Sequence, residues 1–227
     1  MSSPDDERPV EAAPEQPAFD EHRSPILETL TEKLGDAVLA TELLPGKDIW
    51  VRVRLDAWVD VARILRDDLG FTYFCYLSAI DWLPSPFGKN EGDTVPAAVD
   101  PSGPLDHGVT GGDTRFQLLA RVERPGTSIG ITLKADLADD LVAPTWTGTF
   151  AGANWHEREA REMFGIEFAG HPYPVNLYLP GAFEGHPLRK DFPLLSRMVK
   201  PWPGLVDVEP MPGEDPEEAE AEAEAEA

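Results

Sequence analysis

The first half of the chain alternates between helical and strand-like spacing of its apolar residues. A helix is predicted from Ser24-Pro25 to Gly35, because four apolar residues share one helical face: Ile26, Leu27, Leu30 and Leu34. Residues 37–44 and 48–55 are predicted as strands, the second with strict alternation of apolar and polar side chains. A second helix is expected to begin at Asp56 and to end at Gly70, since core spacing recurs between them.

Three further segments have the apolar content of buried strands. Residues 71–80 are aromatic and nearly all apolar, which predicts a central strand covered on both faces. Residues 116–122 and 129–135 alternate on either side of Pro125-Gly126, which predicts a hairpin. Hairpins separated by helices indicate an α+β fold, with a mixed or antiparallel sheet packed with helices and an extended Pro-rich C-terminal segment after it.

Three stretches lack the apolar surface that a core requires. Residues 1–23 and 214–227 are strongly acidic and are predicted to be disordered tails. Residues 84–112 hold five Pro and six Gly with few apolar residues, which is typical of an exposed insertion between two strands. The sequence therefore predicts a single α+β domain over residues 24–213, carrying one insertion and flanked by two tails.

The formal net charge of −23 and its distribution narrow the possible functions. The two tails hold −5 and −8 of that charge, which leaves −10 for residues 24–213. An acidic body disfavours the electrostatic binding of nucleic acid, so we expect no nucleic-acid partner. The C-terminal tail has the composition of a solubilising end, and a tail that binds a basic partner is the other hypothesis.

Composition also limits the cofactors that this chain could carry by itself. A single cysteine, Cys75, excludes a disulfide framework, a cysteine-based zinc site and a self-contained iron–sulfur cluster. We expect Cys75 to be an inert thiol, because it lies within the predicted buried strand. No Gly-rich phosphate loop of familiar spacing occurs, and no apolar run reaches the roughly 20 residues of a transmembrane helix. The acidic, Pro-rich start of the chain shows no signal-peptide pattern.

Residues 154–165 combine the signature of a helix with a dense charge pattern. Asn154 is a suitable N-cap, Glu157 follows at capping-box spacing, and Gly165 is placed to end the helix. Three hypotheses fit the charges: a solvated face, a buried ionic network or protein interface, and a catalytic site. A zincin site is excluded because Ala160 stands where the second His is required. Two pairs of opposite charge lie four residues apart, Glu157–Arg161 and Arg158–Glu162.

The next segment is rich in proline and contains Gly-His-Pro twice, at residues 170–172 and 185–187. Because proline cannot donate to a strand ladder, we expect an extended and irregular segment that is held by side chains. His171 and His186 could bind a metal or carry a proton, but hydrogen bonds within an ordered loop or to a partner are the favoured hypothesis. Two cations and an anion then stand beside Phe192, as in a docking surface: Arg189, Lys190 and Asp191.

These blocks together resemble the signature of a respiratory protein family. The blocks are Glu157-Arg158-Glu159, residues 162–166 (EMFGI), residues 170–172 (GHP) and residues 185–193 (GHPLRKDFP). They closely resemble the C subunit of bacterial NADH:quinone oxidoreductase, which is respiratory complex I or NDH-1. The order of helices and strands from Ser24 onward also fits, so the resemblance covers most of the chain outside the tails and the insertion.

The resemblance implies a non-catalytic structural subunit in the peripheral arm of this proton-pumping complex. It implies that the chain holds no cofactor, and that electrons pass from NADH through FMN and iron–sulfur clusters in partner subunits to quinone. The chief partner would be the large hydrogenase-like D subunit, together with the iron–sulfur subunits. The chain would be a peripheral protein of the cell membrane, on the cytoplasmic side and attached only through the complex.

The resemblance further implies that residues 154–213 bind a partner, with the signature residues at or behind that interface. These residues are Glu157, Arg158, Glu159, His171, His186, Arg189, Lys190 and Asp191. One departure concerns a basic residue that the family usually has a few positions after the first His-Pro pair. This chain has Val175 and Asn176 there, so a salt bridge or partner contact made by relatives at this point is not carried over.

Three alternatives stand beside this interpretation. The same signature fits the equivalent subunit of a membrane-bound energy-converting hydrogenase, or of a dehydrogenase that uses another electron donor. In a different class, the chain could be a free-standing interaction module whose acidic tail binds basic partners. An independent hydrolase or metalloenzyme has no supporting set of residues such as a Ser–His–Asp triad. The proteins that co-purify with the chain would discriminate among these hypotheses.

Overall fold

The computed structural model describes residues 20–84, 103 and 105–192. Its α-helices are α1 (Ser24–Leu34), α2 (Trp58–Arg63) and α3 (Ala153–Phe164), with 3₁₀ turns at Gly35–Ala37 and Leu55–Ala57 and a π-helical turn at Ile64–Asp68 that continues α2. Its strands are β1 (Val38–Leu43), β2 (Ile49–Val53), β3 (Tyr73–Asp81), β4 (Phe116–Arg124), β5 (Ile129–Asp136), β6 (Val142–Pro144) and β7 (Glu167–Ala169). Most of the predicted tail at residues 1–23, most of the predicted insertion, and residues 193–227 lie outside the described residues.

Five strands form a mixed sheet in the order β1–β2–β5–β4–β3. Only β2 and β5 run parallel, and the other neighbours in this sheet are antiparallel. The predicted hairpin is β4–β5, and the α+β class with a mixed sheet is confirmed. A second, two-stranded parallel sheet of β6 and β7 was not predicted, because strands of three residues are too short to show an alternating pattern.

One face of the large sheet carries the core. The strand register aligns fully buried side chains across four strands: Val51, Leu133, Ala120 and Leu77. Residues from all three helices join the same apolar cluster. Within it Trp58 stacks on Trp146 with ring centroids 4.6 Å apart, and the Trp146 indole N–H donates to the Trp58 carbonyl oxygen. The core therefore lies between the sheet and a helical layer that includes α3.

β3 lies at the edge of the sheet, so the central position predicted for residues 71–80 is wrong. The apolar character of this strand has another cause, because α3 packs across it. Phe74 of β3 contacts the rings of Phe150 and His156, with centroids 5.7 and 5.2 Å away. Apolar side chains report that a strand's faces are covered, and here α3 supplies such cover although the strand lies at the edge of the sheet.

Cys75 lies at an irregularity in the β3–β4 pairing and is half-buried. The Nη1 atom of Arg121 donates to its sulfur at 3.1 Å. Burial nevertheless raises the pKa of the Cys75 thiol above its ordinary value. A raised pKa disfavours the thiolate, which is the reactive form.

The opposite face of the sheet is partly covered by residues 105–112, the described end of the predicted insertion. Lys134 of β5 is buried, and its ammonium donates to the carbonyl oxygens of His107, Val109 and Gly111 at 2.8, 2.8 and 3.0 Å. Burial lowers the pKa of Lys134 to about 8. Three acceptors match the three protons of an ammonium, so Lys134 fastens this loop to the sheet.

Candidate partner-binding segment

Helix α3 supports the segment that follows it, residues 170–192, which we call the docking segment. Ala153, Ala160 and Phe164 are buried in the core, which fixes one face of the helix. The helix ends at Gly165, whose φ of +75° is the left-handed conformation that favours glycine. No helix or strand is formed by residues 170–192. The docking segment is therefore held by side chains rather than by a strand ladder.

The predicted capping box at the start of α3 is wrong. The helix begins at Ala153 with Gly152 as its N-cap, so Asn154 lies inside the helix. Glu157 is fully buried and receives the Trp146 backbone N–H at Oε1 (2.6 Å) and the Thr145 hydroxyl at Oε2. Burial raises the pKa of Glu157 to about 7, against the opposing effect of these two donors. The sequence spacing suited a local cap, but the side chain binds the loop after β6.

His171 lies beside this carboxyl group, and its side chain is only 2% exposed. Its Nδ1 accepts the backbone N–H of Tyr173 at 3.0 Å, and its Nε2 lies 3.1 Å from the carbonyl oxygen of Asn154. Because an N–H can only donate and a carbonyl can only accept, these partners assign the proton to Nε2. His171 thus ties the start of the docking segment to the first turn of α3.

Glu162 holds the middle of the docking segment through three consecutive backbone N–H groups. Its carboxylate accepts from Leu177 at 2.9 Å, from Tyr178 at 3.1 Å and from Leu179. Burial alone would raise the pKa of Glu162, but the three N–H donors outweigh it and the pKa is lowered. This carboxylate is therefore a charged acceptor around which residues 177–179 wrap.

The arginines of α3 bind the docking segment and β7, and neither predicted i,i+4 pair is an ion pair in the structure. Arg158 donates through Nε to the Val175 carbonyl oxygen at 2.7 Å and lies over the Tyr173 ring. Arg161 faces Glu167 of β7, with Nε and Oε1 3.4 Å apart. Charge spacing predicted contacts along the helix, but the side chains have partners in the segments that lie beside it.

The second Gly-His-Pro block caps the C-terminus of α3. The last four carbonyl groups of a helix have no partner within it, and unpaired groups are costly when buried. Here each carbonyl oxygen has a donor within the described residues. The Arg161 carbonyl accepts from Gly165 N–H, that of Glu162 from His186 Nδ1, that of Met163 from Leu188 N–H, and that of Phe164 from Arg189 Nε. Three of the four donors thus come from residues more than twenty positions downstream.

Gly165 is required by this cap for a second reason. A Cβ at that position would lie 2.5 Å from Nη2 of Arg189 and 2.5 Å from Nε2 of His186. The missing side chain leaves the space in which these two groups pack against the helix end. A glycine is therefore needed both for its positive φ and for close approach.

A buried carboxylate at the end of β3 anchors the last part of the docking segment. Asp81 accepts both arms of Arg115, at 2.8 and 2.6 Å, and the backbone N–H of Lys190 at 2.8 Å. Arg115 also pairs with Asp191 at 3.1 Å. Burial works to raise the pKa of Asp81, but these donors and Leu83 N–H lower it below its ordinary value. Residues 190–191 are thereby fixed to the sheet.

The docking segment and α3 leave several large apolar side chains in contact with solvent. Six such residues, which we call the docking surface, are between 40% and 67% exposed: Trp155, Tyr173, Val175, Tyr178, Phe183 and Leu188. Polar groups hold the segment from beneath while its aromatic side chains face outward.

All eight signature residues predicted from the sequence lie on α3 or the docking segment. Seven of them make contacts within the chain, and Lys190 does so through its backbone N–H. Glu159 is half-buried and has no hydrogen bond or ion pair within the described residues. As partner contacts these residues remain a prediction. Sequence reasoning missed the part played by four residues, Asp81, Arg115, Thr145 and Glu162, because binding to backbone N–H groups or across strands leaves no local pattern.

Residues 20–84, 103 and 105–192 contain no candidate metal site or membrane span. No group of three or more His, Cys, Asp or Glu side chains in these residues could hold a metal ion. Within the same residues, no helix has the length and apolar character needed to cross a membrane. His171 and His186 are used for hydrogen bonds to the backbone.

Comparison with known proteins identifies the family. The family described as the 30 kDa subunit of respiratory-chain NADH dehydrogenase matches residues 51–198, a range that includes α3 and the docking segment. The chain belongs to this family. It is 36% identical over 177 residues to the C subunit of the NADH-quinone oxidoreductase of Roseiflexus sp. (strain RS-1), covering 77% of this chain and 86% of the relative. It is 34% identical over 164 residues to the same subunit of Rhodobacter capsulatus, covering 71% and 68%.

A solved structure of another chain shares the fold of this member of the 30 kDa subunit family. A chain in the membrane-bound sulfane sulfur reductase, an archaeal respiratory membrane complex, superimposes with a TM-score of 0.52 at 19% identity. That match covers 77% of this chain and 88% of the other. At this identity the likeness shows a common fold and nothing about electron donors or acceptors.

Proposed function

We propose that this chain is a non-catalytic structural subunit in the peripheral arm of a proton-pumping NADH:quinone oxidoreductase, respiratory complex I. The relatives are subunits of an oxidoreductase, and the function proposed for this chain is to hold other subunits in register. Electrons would pass from NADH through FMN and iron–sulfur clusters of partner subunits to quinone. The chain would reach the cytoplasmic side of the cell membrane only through those partners.

The observation that carries this proposal is the way the docking segment is built. Its backbone is fixed by Glu162, Arg158 and Asp81, while the six residues of the docking surface are left exposed. A preorganised surface loses little conformational entropy when a partner binds, which favours a permanent interface. Exposed Trp and Tyr side chains are also the residues that contribute most at interfaces.

We propose that the partner covering the docking surface is the large hydrogenase-like D subunit, with the iron–sulfur subunits nearby. The resemblance of the signature blocks supports this choice. The alternative of an energy-converting hydrogenase subunit is less well supported, since both named sequence relatives are NADH-quinone oxidoreductase subunits. The fold alone does not separate the two, because a chain of the sulfane sulfur reductase complex shares it.

Affinity purification of the complex from its native membranes tests the proposal. We expect the tagged chain to co-purify with flavin- and iron–sulfur-containing subunits and with NADH:quinone reductase activity. The double variant Trp155→Ser, Tyr178→Ser should lose most of this recovery, since both side chains are more than 60% exposed and contribute little to the fold. Leu39→Ser is the matched control, because Leu39 is 42% exposed on β1, at the opposite edge of the sheet from β3.

Two outcomes would contradict the proposal. Recovery of the wild-type chain as a lone soluble protein would favour a free-standing interaction module instead. Full assembly of the Trp155→Ser, Tyr178→Ser variant would show that a different surface binds the partner. Retention of circular dichroism and of the unfolding midpoint in the purified variants would exclude a folding defect as the cause of lost assembly.

A further inference from the structure

The carboxyl group of Glu157 on α3 is buried and has no cationic partner within the described residues. It is completely shielded from solvent and lies among α3, the loop after β6 and the start of the docking segment. The one group in the described residues within 4 Å that could become a cation is His171, whose Nε2 is 3.9 Å from Oε2. That nitrogen instead faces the Asn154 carbonyl oxygen at 3.1 Å.

On α3, Glu159 has no hydrogen bond or ion pair within the described residues and His156 packs against the Phe74 ring, and the other charged groups on the surrounding elements are bound elsewhere. On α3, Arg158 binds the Val175 carbonyl and Glu162 binds the N–H groups of residues 177–179. Glu167 of β7 is paired with Arg161, and Asp81 of β3 is paired with Arg115. The loop after β6 presents only uncharged groups to Glu157: Thr145, Trp146 and Thr147. Among the described residues, an ionised Glu157 would therefore be a buried anion without a countercharge.

Two hydroxyl groups connect this carboxyl group to the half-buried outer part of the loop. Thr145 Oγ1 lies 2.5 Å from Oε2 of Glu157 and 2.9 Å from Oγ1 of Thr147. Either hydroxyl of the threonine pair could be the donor. With Glu157 protonated, the proton on Oε2 faces Thr145 and the hydroxyls point toward Thr147. With Glu157 ionised, both hydroxyls turn to donate toward the carboxylate.

We propose that Glu157 is a proton-dependent latch, protonated when it joins the loop of residues 145–147 and the start of the docking segment to α3, and weakening that junction when it ionises. The Thr145–Thr147 pair is the path by which the proton leaves and returns. The latch regulates the presentation of the docking surface, and that consequence rests on the proposed function. The latch itself is a property of this chain alone.

The direction of the effect follows from the protonation equilibria. Burial raises the pKa of Glu157 from 4.5 to about 7, so the closed junction binds a proton that the open, solvated junction has lost between these values. Closure is therefore strongest at low pH in this range and weakens as pH rises. With 7 for the closed form and 4.5 for the open form, opening should increase about twentyfold between pH 5.5 and 7.5.

Hydrogen exchange of the purified full-length chain at pH 5.5 and 7.5 tests the latch. After correction for the intrinsic exchange rate, wild-type protection of residues 145–147, His171 and Tyr173 should fall about twentyfold, with residues in β4 unchanged. Glu157→Gln keeps the shape of the protonated acid and should show no such fall. Glu159→Gln is the matched control on the same helix and should behave as wild type.

Infrared spectroscopy of the wild-type chain gives a second measurement that needs no stable variant. The carbonyl band of a buried protonated carboxylic acid should be present at pH 5.5 and lost with a midpoint near the pKa of about 7. Equal pH dependence in wild type and Glu157→Gln, or absence of this band at pH 5.5, would overturn the latch. Assembly of the complex could still be normal in that case, so the proposed function would stand.

Discussion

Replacing Glu162 by glutamine tests whether one carboxylate holds the middle of the docking segment. The wild-type side chain accepts backbone N–H groups from Leu177, Tyr178 and Leu179. Glutamine removes the charge and turns an NH₂ group toward donors. At least one backbone N–H then loses its acceptor, and those that bind the remaining oxygen lose their charge assistance.

The magnitude can be worked from these contacts. A hydrogen bond to a charged group contributes about 1.5–3 kcal/mol and a neutral one about 0.5–1.5 kcal/mol, and an unpaired buried donor costs about 1–3 kcal/mol. Two weakened bonds and one unpaired N–H should lower the free energy needed to open residues 177–179 by about 3 kcal/mol. That free energy corresponds to roughly a 100-fold loss of amide protection.

Hydrogen exchange at residues 177–179 in the purified chain is the direct assay. We expect the 100-fold loss in Glu162→Gln and none in Glu159→Gln, because Glu159 lies on the same helix without a hydrogen bond in the described residues. Recovery of the assembled complex should also fall in Glu162→Gln. Protection within about threefold of wild type would refute the reasoning, since it would mean that the three N–H groups do not depend on this carboxylate.

Three further substitutions test other contacts by urea unfolding. Lys134→Met should lower the free energy of unfolding by about 3 kcal/mol, because three carbonyl groups lose their donor, and a change under about 0.5 kcal/mol would contradict that role. Gly165→Ala should cost about 3 kcal/mol through its positive φ and the clash with His186, whereas a neutral effect would mean that the helix end can rearrange freely. Arg189→Ala should cost about 2 kcal/mol by leaving the Phe164 carbonyl unpaired, and should reduce assembly. A fully assembled Arg189→Ala complex with lost quinone reduction would instead indicate a catalytic role.

The sequence was sufficient for elements whose apolar residues repeat locally. α1, β2 and the β4–β5 hairpin were predicted because periodicity depends on neighbours along the chain. The edge position of β3 was not predicted, since apolar side chains indicate that a strand's faces are covered and do not show how many strands flank it. Only the folded chain shows which element supplies that cover.

The candidate site was predictable in its residues but not in its contacts. Glu157 and Arg158 stand out in the sequence, yet their spacing suggested a capping box and an i,i+4 pair that the structure does not contain. The true partners are the Trp146 N–H and the Val175 carbonyl, which are backbone groups and carry no sequence signal. Long-range contacts to the backbone therefore require the fold before they can be assigned.

The pKa values of the two carboxyl groups of α3 shift in opposite directions because Glu157 is the more deeply buried and Glu162 accepts more backbone N–H groups. Glu162 accepts three backbone N–H groups and has a lowered pKa, so its hold on residues 177–179 persists above the ordinary carboxyl range and is lost only as pH falls through that lowered value. Glu157 has two donors in a fully buried position and a pKa raised to about 7. The attachment of the docking segment through Glu162 therefore persists down to low pH, whereas the attachment of α3 through Glu157 weakens as pH rises through about 7. Both carboxyl groups are thus used within the chain, so under the proposed function the exposed aromatic residues of the docking surface would contact the partner.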